Sequence, residues 1–488
     1  MDRDREGTLD PDDWARARAT GHAILDELFE YLRTVRERPV WRVPPPEVKA
    51  RLLEPAPAGP QPLDELWKSV RDIVLAYPTG NIHPRFFGWV HGSGTIGGML
   101  AELVAGAVNA NLGGRDHAPV YVERQVLDWA KQILGWPADA SGILLTGTSM
   151  ANVVGLCVAR NAADARVRAH GLPAGASRWR VYTSTEAHVA VRKALELLGL
   201  GGDALRPVAV GDAYAIDVAA LRGAIAEDRA AGYRPICVVG TAGTVNTGAM
   251  DDLYALADVA AEEGVWFHVD GAFGALVALS DDLRPLVRGI ERADSLAFDF
   301  HKWLHVPYAV GCLLVRDEAA HRAAFTTHES YLANRQRGLA AGAPWFCDYG
   351  PELSRGFLAL KVWLTIQEHG LRRLAAMIEK NCAQAQYLAE LVRREPRLEL
   401  AAPVTLNIVC FRYRAPGLDG EALNRFHEGL VADLHDDGVV APSTTTLGGS
   451  LVIRANLTNH RTLRGDLDVF VHTVVATGDR LMGAAAAR

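Results

Sequence analysis

The sequence predicts an α/β protein with a large domain on a mostly parallel sheet, a smaller α/β domain after it and a helical arm before it. Three observations carry this. From about residue 85 to 370, short apolar runs alternate with helical patterns, the way strands covered by helices on both faces read. After Gly370 the alternation restarts on a shorter scale. Between Pro39 and Pro62 stand eight of the 24 prolines, Pro44-Pro45-Pro46 among them, which blocks regular helix and favours an extended connection.

Taken in order, Asp10-Pro11 offers an N-cap and a first helical position, and Leu25, Leu28 and Leu32 then share one helical face. A helix therefore opens the chain. Residues 1–84 form a helical, proline-rich arm too thin to close its own core, expected to pack on another domain or a second subunit. In the large domain, 85–370, the predicted strands are Gly142–Leu145, Arg180–Thr183, Pro235–Gly240, Val265–Val269, Ser295–Phe298 and Val310–Val315. Helices between them imply parallel pairing through right-handed crossovers. In the small domain, 371–488, a long helical stretch leads into strand Thr405–Phe411, helix Gly420–Leu434, strand Leu451–Ala455 and helix Asp466–Leu481.

Composition narrows the function. With 488 residues and 49% apolar content the chain can bury a large core, which excludes disorder. A formal net charge of −7 argues against binding nucleic acid or an anionic membrane, which call for basic patches, and points to a small ligand. Apolar windows are interrupted by charge, as by Glu102 in Ile96–Val108, so no membrane span is expected. MDRDREGTLD is the opposite of a signal peptide. Six cysteines stand singly, which suggests neither a metal site nor a disulfide framework and fits a reducing cytoplasm.

Four segments carry chemistry. In Phe298-Asp299-Phe300-His301-Lys302-Trp303, a lysine lies between an apolar strand and a bulky aromatic residue, where desolvation would make it an imine-forming amine; the alternative is a snorkelling lysine beside a core Trp. In Trp266-Phe267-His268-Val269-Asp270-Gly271-Ala272, Asp270 stands at the end of an apolar strand, where parallel sheets hold ligands, unless it merely caps the next helix. A carboxylate there can hydrogen-bond a protonated pyridine nitrogen. Thr146-Gly147-Thr148-Ser149 forms a turn between strand and helix that can cradle a phosphate. Its spacing fits neither dinucleotide nor nucleoside-triphosphate motifs. His188, after another strand end, offers a flat imidazole for stacking on an aromatic cofactor.

In this order the segments resemble the group II pyridoxal phosphate-dependent amino-acid decarboxylases, typified by aromatic-L-amino-acid decarboxylase, with glutamate and histidine decarboxylases as cousins. The resemblance spans nearly the whole chain: His83-Pro84-Arg85-Phe86-Phe87, Gly147–Asn152, Glu186-Ala187-His188, Gly240–Thr244, His268-Val269-Asp270, Asp294-Ser295, His301-Lys302-Trp303, Ser330-Tyr331-Leu332, Ser354-Arg355, Ile453-Arg454 and Asn459–Thr462. It implies pyridoxal 5'-phosphate as cofactor, the aspartate-aminotransferase-like fold (fold type I) and a homodimer with its site at the subunit interface. Lys302 matches the lysine that carries the cofactor, Asp270 the pyridinium partner and His188 the stacking ring. Thr148 and Ser149 match phosphate ligands, Thr241 sits by the ring face, and Ser295 and His301 lie near the cofactor. Tyr331 matches the loop tyrosine that protonates the product carbon.

Asp299 stands where aromatic decarboxylases commonly carry Asn, and a carboxylate there would repel phosphate. Trp89, His91 and Ser354 fall in the substrate region, where Phe86 and Phe87 are also expected to line an apolar pocket. The implied reaction is α-decarboxylation of an L-amino acid, an aromatic one (Tyr or DOPA, then Trp or Phe) ahead of glutamate, whose decarboxylases share HPRFF; His91, Arg115 and Asp116 could instead read a charged side chain. Three rivals remain. An aldehyde synthase would differ at Tyr331, an aminotransferase would need a free carboxylate-binding arginine such as Arg355, and a degenerate cofactor-binding paralogue would lack competent residues at matched positions.

Overall fold

The computed structural model describes residues 8–327 and 335–486. Its strands are β1 Phe86–Phe87, β2 Ser141–Leu145, β3 Trp179–Ser184, β4 Leu205–Val208, β5 Arg234–Thr241, β6 Trp266–Asp270, β7 Ser295–Asp299, β8 Gly311–Val315, β9 Leu398–Leu400, β10 Ile408–Tyr413, β11 Ala441–Leu447 and β12 Ser450–Asn456. They form a seven-stranded sheet in the order β2-β8-β7-β6-β5-β3-β4 and a five-stranded sheet in the order β1-β11-β12-β10-β9.

Every predicted strand of the large sheet is present, but β8 pairs antiparallel with both β7 and β2. The reason is length. Between Asp299 and Gly311 the chain has only the single turn Phe300–Trp303, and a parallel return needs a crossover of about a dozen residues or more. The edge strand β4, Leu205–Val208, was not apparent in the sequence because Pro207 and Arg206 interrupt its apolar pattern.

The arm also departs in detail. Its helix runs Trp14–Arg33 and is capped by Asp13, whose side chain accepts from Arg16 N, rather than by Asp10. None of its residues is buried. The following segment joins the C-terminal part: Val40 N donates to Gly438 O at 2.8 Å, and Arg36 pairs with Asp466 at 2.6 Å. Phe86 and Phe87, expected to open the large domain, instead pair in parallel with Ala441 and Pro442 of the second sheet. The helical stretch Ala359–Arg394 is broken at Gly370 (φ 69°, ψ 152°), between the two sheets in sequence.

Several imidazoles are buried in neutral form. Burial pushes His83, His321 and His460 down to about 4 from an ordinary 6.5. In the unfolded chain each takes up a proton near pH 6.5, so the stability they contribute is complete above that pH and is lost as pH falls from 6.5 toward 4. Each then costs about 1.4 kcal/mol per pH unit. Denaturant midpoints should therefore drop steeply between about pH 6.5 and 5; a flat profile would refute the burial of these rings as neutral groups.

Candidate active site

The C-terminal ends of β5, β6 and β7 lie side by side, with Thr241 in register with Asp270 and Asp270 with Ala297. A cavity of about 480 Å³ opens over these ends. Its floor holds Thr241, Asp270, Asp299 and Lys302, and one side is the turn Thr146–Ser149 leading into helix Thr148–Ala163.

Alternation along β6 puts Trp266, His268 and Asp270 on one face of the sheet, toward that helix. Asp270 is buried, accepting at Oδ2 from Asn152 Nδ2 (2.9 Å) and at Oδ1 from Ala272 N (3.1 Å). Asp299 Oδ1 accepts from Thr148 N at 2.7 Å, and its Oδ2 lies 3.1 Å from Lys302 Nζ. The turn that carries Lys302 is anchored by fully buried Phe300 and Trp303, the latter donating to Asn381 Oδ1 at 3.0 Å. Lys302 is thereby turned to the cavity, its side chain 21% exposed and paired with a carboxylate rather than isolated in apolar surroundings.

His188 sits at the exposed rim, where its Nδ1 accepts from Ala190 N and caps helix Val189–Leu197, so that nitrogen is unprotonated. His301 lines the cavity with its ring 4.3 Å from that of Tyr308, and burial lowers its pKa against the opposing pull of Asp299. Trp89, 55% exposed and in a left-handed conformation (φ 46°), and His91 form the aromatic wall. Arg454 holds that strained residue by donating to Trp89 O at 3.1 Å. His91 stacks on Phe86 at 5.7 Å, and burial followed by the charges of Lys302 and His301 lowers its pKa. Gly92 is required beside them: a Cβ there would lie 1.8 Å from His301 O.

Other expected residues lie elsewhere. Ser295 starts β7, about 13 Å along the strand from its cavity end, and bonds His268 and Trp266 instead of lining the cavity. Ser354 is exposed outside the cavity. Phe87 packs on Phe470 in the second core at 4.8 Å, and Phe86 lies behind His91. Tyr331 and Ser330 lie outside the described residues. Arg355 is no substrate arginine: its guanidinium is buried against Glu123 and donates to Leu112 O and Leu144 O, which removes the feature an aminotransferase would need. Among the described residues no cluster of His, Cys, Asp or Glu is placed for a metal, and no helix is long and apolar enough to cross a membrane.

The site fits pyridoxal phosphate. Thr148 Oγ1 and Thr241 Oγ1 are buried in the wall without a hydrogen-bond partner among the described residues, beside an amine, a buried carboxylate and a helix N-terminus. Asn152 and His268 stand in matched segments without an assigned role, and Tyr308 stands outside them. For His268 a signal existed, since the strand period of two places it on the face of Asp270.

Comparison with known proteins agrees. The family described as "Pyridoxal-dependent decarboxylase conserved domain" matches residues 45–414. Aromatic-L-amino-acid decarboxylase of Bacillus atrophaeus is 32% identical over 454 residues, 91% of this chain and 92% of that protein. Phenylacetaldehyde synthase of Petunia hybrida is 28% identical, over 91% of this chain and 90% of its own. The solved structure of Oryza sativa TDC with PLP and tryptamine superposes with a TM-score of 0.90 at 28% identity, covering 97% of this chain and 100% of that one. With this fold, fold type I, and this match, the chain belongs to the pyridoxal phosphate-dependent amino-acid decarboxylases.

Proposed function

We propose that the chain decarboxylates an aromatic L-amino acid, tyrosine or DOPA ahead of tryptophan and phenylalanine, to the amine and carbon dioxide. The observation that carries this is that Lys302 and Asp270 face one cavity from the ends of adjacent strands, next to a helix N-terminus and an aromatic wall. Pyridoxal phosphate supplies, when bound, a carbonyl for amines and a cationic ring that accepts the electron pair left by carbon dioxide.

In this reading Lys302 holds the cofactor covalently. Thr148 and Ser149 take its phosphate, His188 offers a flat face for stacking, Thr241 a hydroxyl, and His301 borders the same space. Asp270 keeps a proton on the ring nitrogen. Trp89 and His91 meet the substrate side chain. The Tyr331 hydroxyl delivers the proton to the substrate Cα. The protein is a homodimer whose arm lies across the partner, which suits a helix with no buried residue and the exposed Leu103, Val104 and Val108 of helix Ile96–Val108. The six unpaired cysteines suit the cytoplasm.

Borohydride reduction of the yellow protein followed by peptide mass spectrometry should place the cofactor on Lys302. A label on Lys193 or Lys361 would overturn the assignment.

Asp299 occupies the first helix N–H beside the proposed phosphate site with a buried negative charge. Asp299→Asn keeps the acceptor and removes the charge, so cofactor-free protein should bind inorganic phosphate roughly tenfold tighter in calorimetry. Weaker binding would mean that the carboxylate orders the cradle instead.

Product analysis with all common amino acids tests substrate and outcome together. Aromatic substrates should give amine with little aldehyde, ammonia or peroxide, and Tyr331→Phe should shift the product toward aldehyde with cofactor binding intact. Turnover of glutamate alone would overturn the substrate, and native amine output from Tyr331→Phe would exclude that hydroxyl as the proton donor.

A further inference from the structure

Behind Asp270 runs a chain of side-chain hydrogen bonds that leaves the cavity. Trp266 Nε1 lies 2.7 Å from Ser295 Oγ, which lies 2.7 Å from His268 Nδ1. His268 Nε2 lies 2.9 Å from Asn152 Oδ1, and Asn152 Nδ2 lies 2.9 Å from Asp270 Oδ2. Ser295, His268 and Asn152 are wholly buried.

The two ends determine every proton between them. An indole N–H only donates, so Ser295 accepts from Trp266 and has its own proton for His268. An ionised carboxylate only accepts, so Asn152 turns its NH₂ to Asp270 and its carbonyl to His268, which must donate from Nε2. The imidazole therefore carries one proton, on Nε2, and accepts at Nδ1. Burial agrees with a neutral ring, lowering its pKa to about 3. Reversing the chain would turn the Asn152 carbonyl oxygen onto the Asp270 carboxylate and set two acceptors against each other. A second observation shows the space made for this ring: a Cβ on Gly155 of helix Thr148–Ala163 would lie 3.0 Å from His268 Cε1 and 3.2 Å from Nδ1.

We propose that Trp266, Ser295, His268 and Asn152 form a one-way relay of positioning residues that holds Asp270 ionised and in one orientation. The proton shared with a ligand's ring nitrogen is thereby kept on the ligand's side. The proposal rests on the reading of Asp270 as the ring-nitrogen partner. The other charged or titratable groups facing Asp270 are His188 at the rim and, after β7, Lys302 and Asp299. Lys302 and Asp299 pair with each other, so the supply of donors to Asp270 comes from the relay and Ala272 N.

Two measurements test this. In the cofactor-free full chain labelled with ¹⁵N-histidine, His268 should be the neutral Nε2–H tautomer throughout the neutral range, and Ser295→Ala should abolish that preference. The Nδ1–H tautomer in the native chain would overturn the relay whether or not a cofactor ever binds. In the holoenzyme loaded with ring-¹⁵N pyridoxal phosphate, the ring nitrogen should stay protonated from about pH 6 to 9, whereas His268→Leu and Ser295→Ala should lower its deprotonation midpoint by about one unit or more. kcat should fall roughly tenfold with little change in KM. If His268→Leu does not fold, Ser295→Ala, which loses one hydroxyl, decides alone. An unchanged ring-nitrogen profile in a variant that is merely less stable would reduce these residues to packing and overturn the proposal. Loss of the Lys302 label, by contrast, would remove the decarboxylase reading and leave the tautomer result standing.

Discussion

Two carboxylates buried at adjacent strand ends constrain everything around them. A carboxylate removed from water must be given donors, and here a single helix supplies one to each: Thr148 N to Asp299 and Asn152 Nδ2 to Asp270. The helix that offers an anion site at its N-terminus is thus held over the sheet by the acids that flank the reacting lysine. Its register cannot slip by one residue without leaving both acids short of a donor.

The large sheet was legible because its strands are apolar runs too short for helices and spaced by helical patterns, as in Pro235–Gly240 and Val265–Val269. What escaped the reading was polar or short. β11 carries the run Ser443–Thr446, which reads as a loop, and β1 has two residues. The antiparallel β8 was accessible in principle, since the spacer before it is too short for a crossover.

The site was legible where chemistry and strand ends coincide, as at Asp270 and Lys302. It is not legible at Ser295, a neighbour of the site residues in the motif that begins the strand whose far end meets the cavity. Arg355 shows the converse difficulty. Sequence displays a cation but not the partner that neutralises it, and Glu123 lies far away along the chain yet touches it in the fold. Partner choice across such separations is decided by packing, which no local pattern encodes.

The aromatic wall has a divided allegiance. Phe86 and Phe87 are hydrogen-bonded into the second sheet, Arg454 of that sheet grips Trp89, and Trp89 and His91 border the cavity whose floor belongs to the first. One side of the binding space is therefore carried by a different sheet from the other, and Arg454 ties the two together by also donating from Nε to Val245 O at 2.9 Å. The spacing between wall and floor is consequently held by contacts between the sheets, at residues such as Arg454 that do not line the cavity.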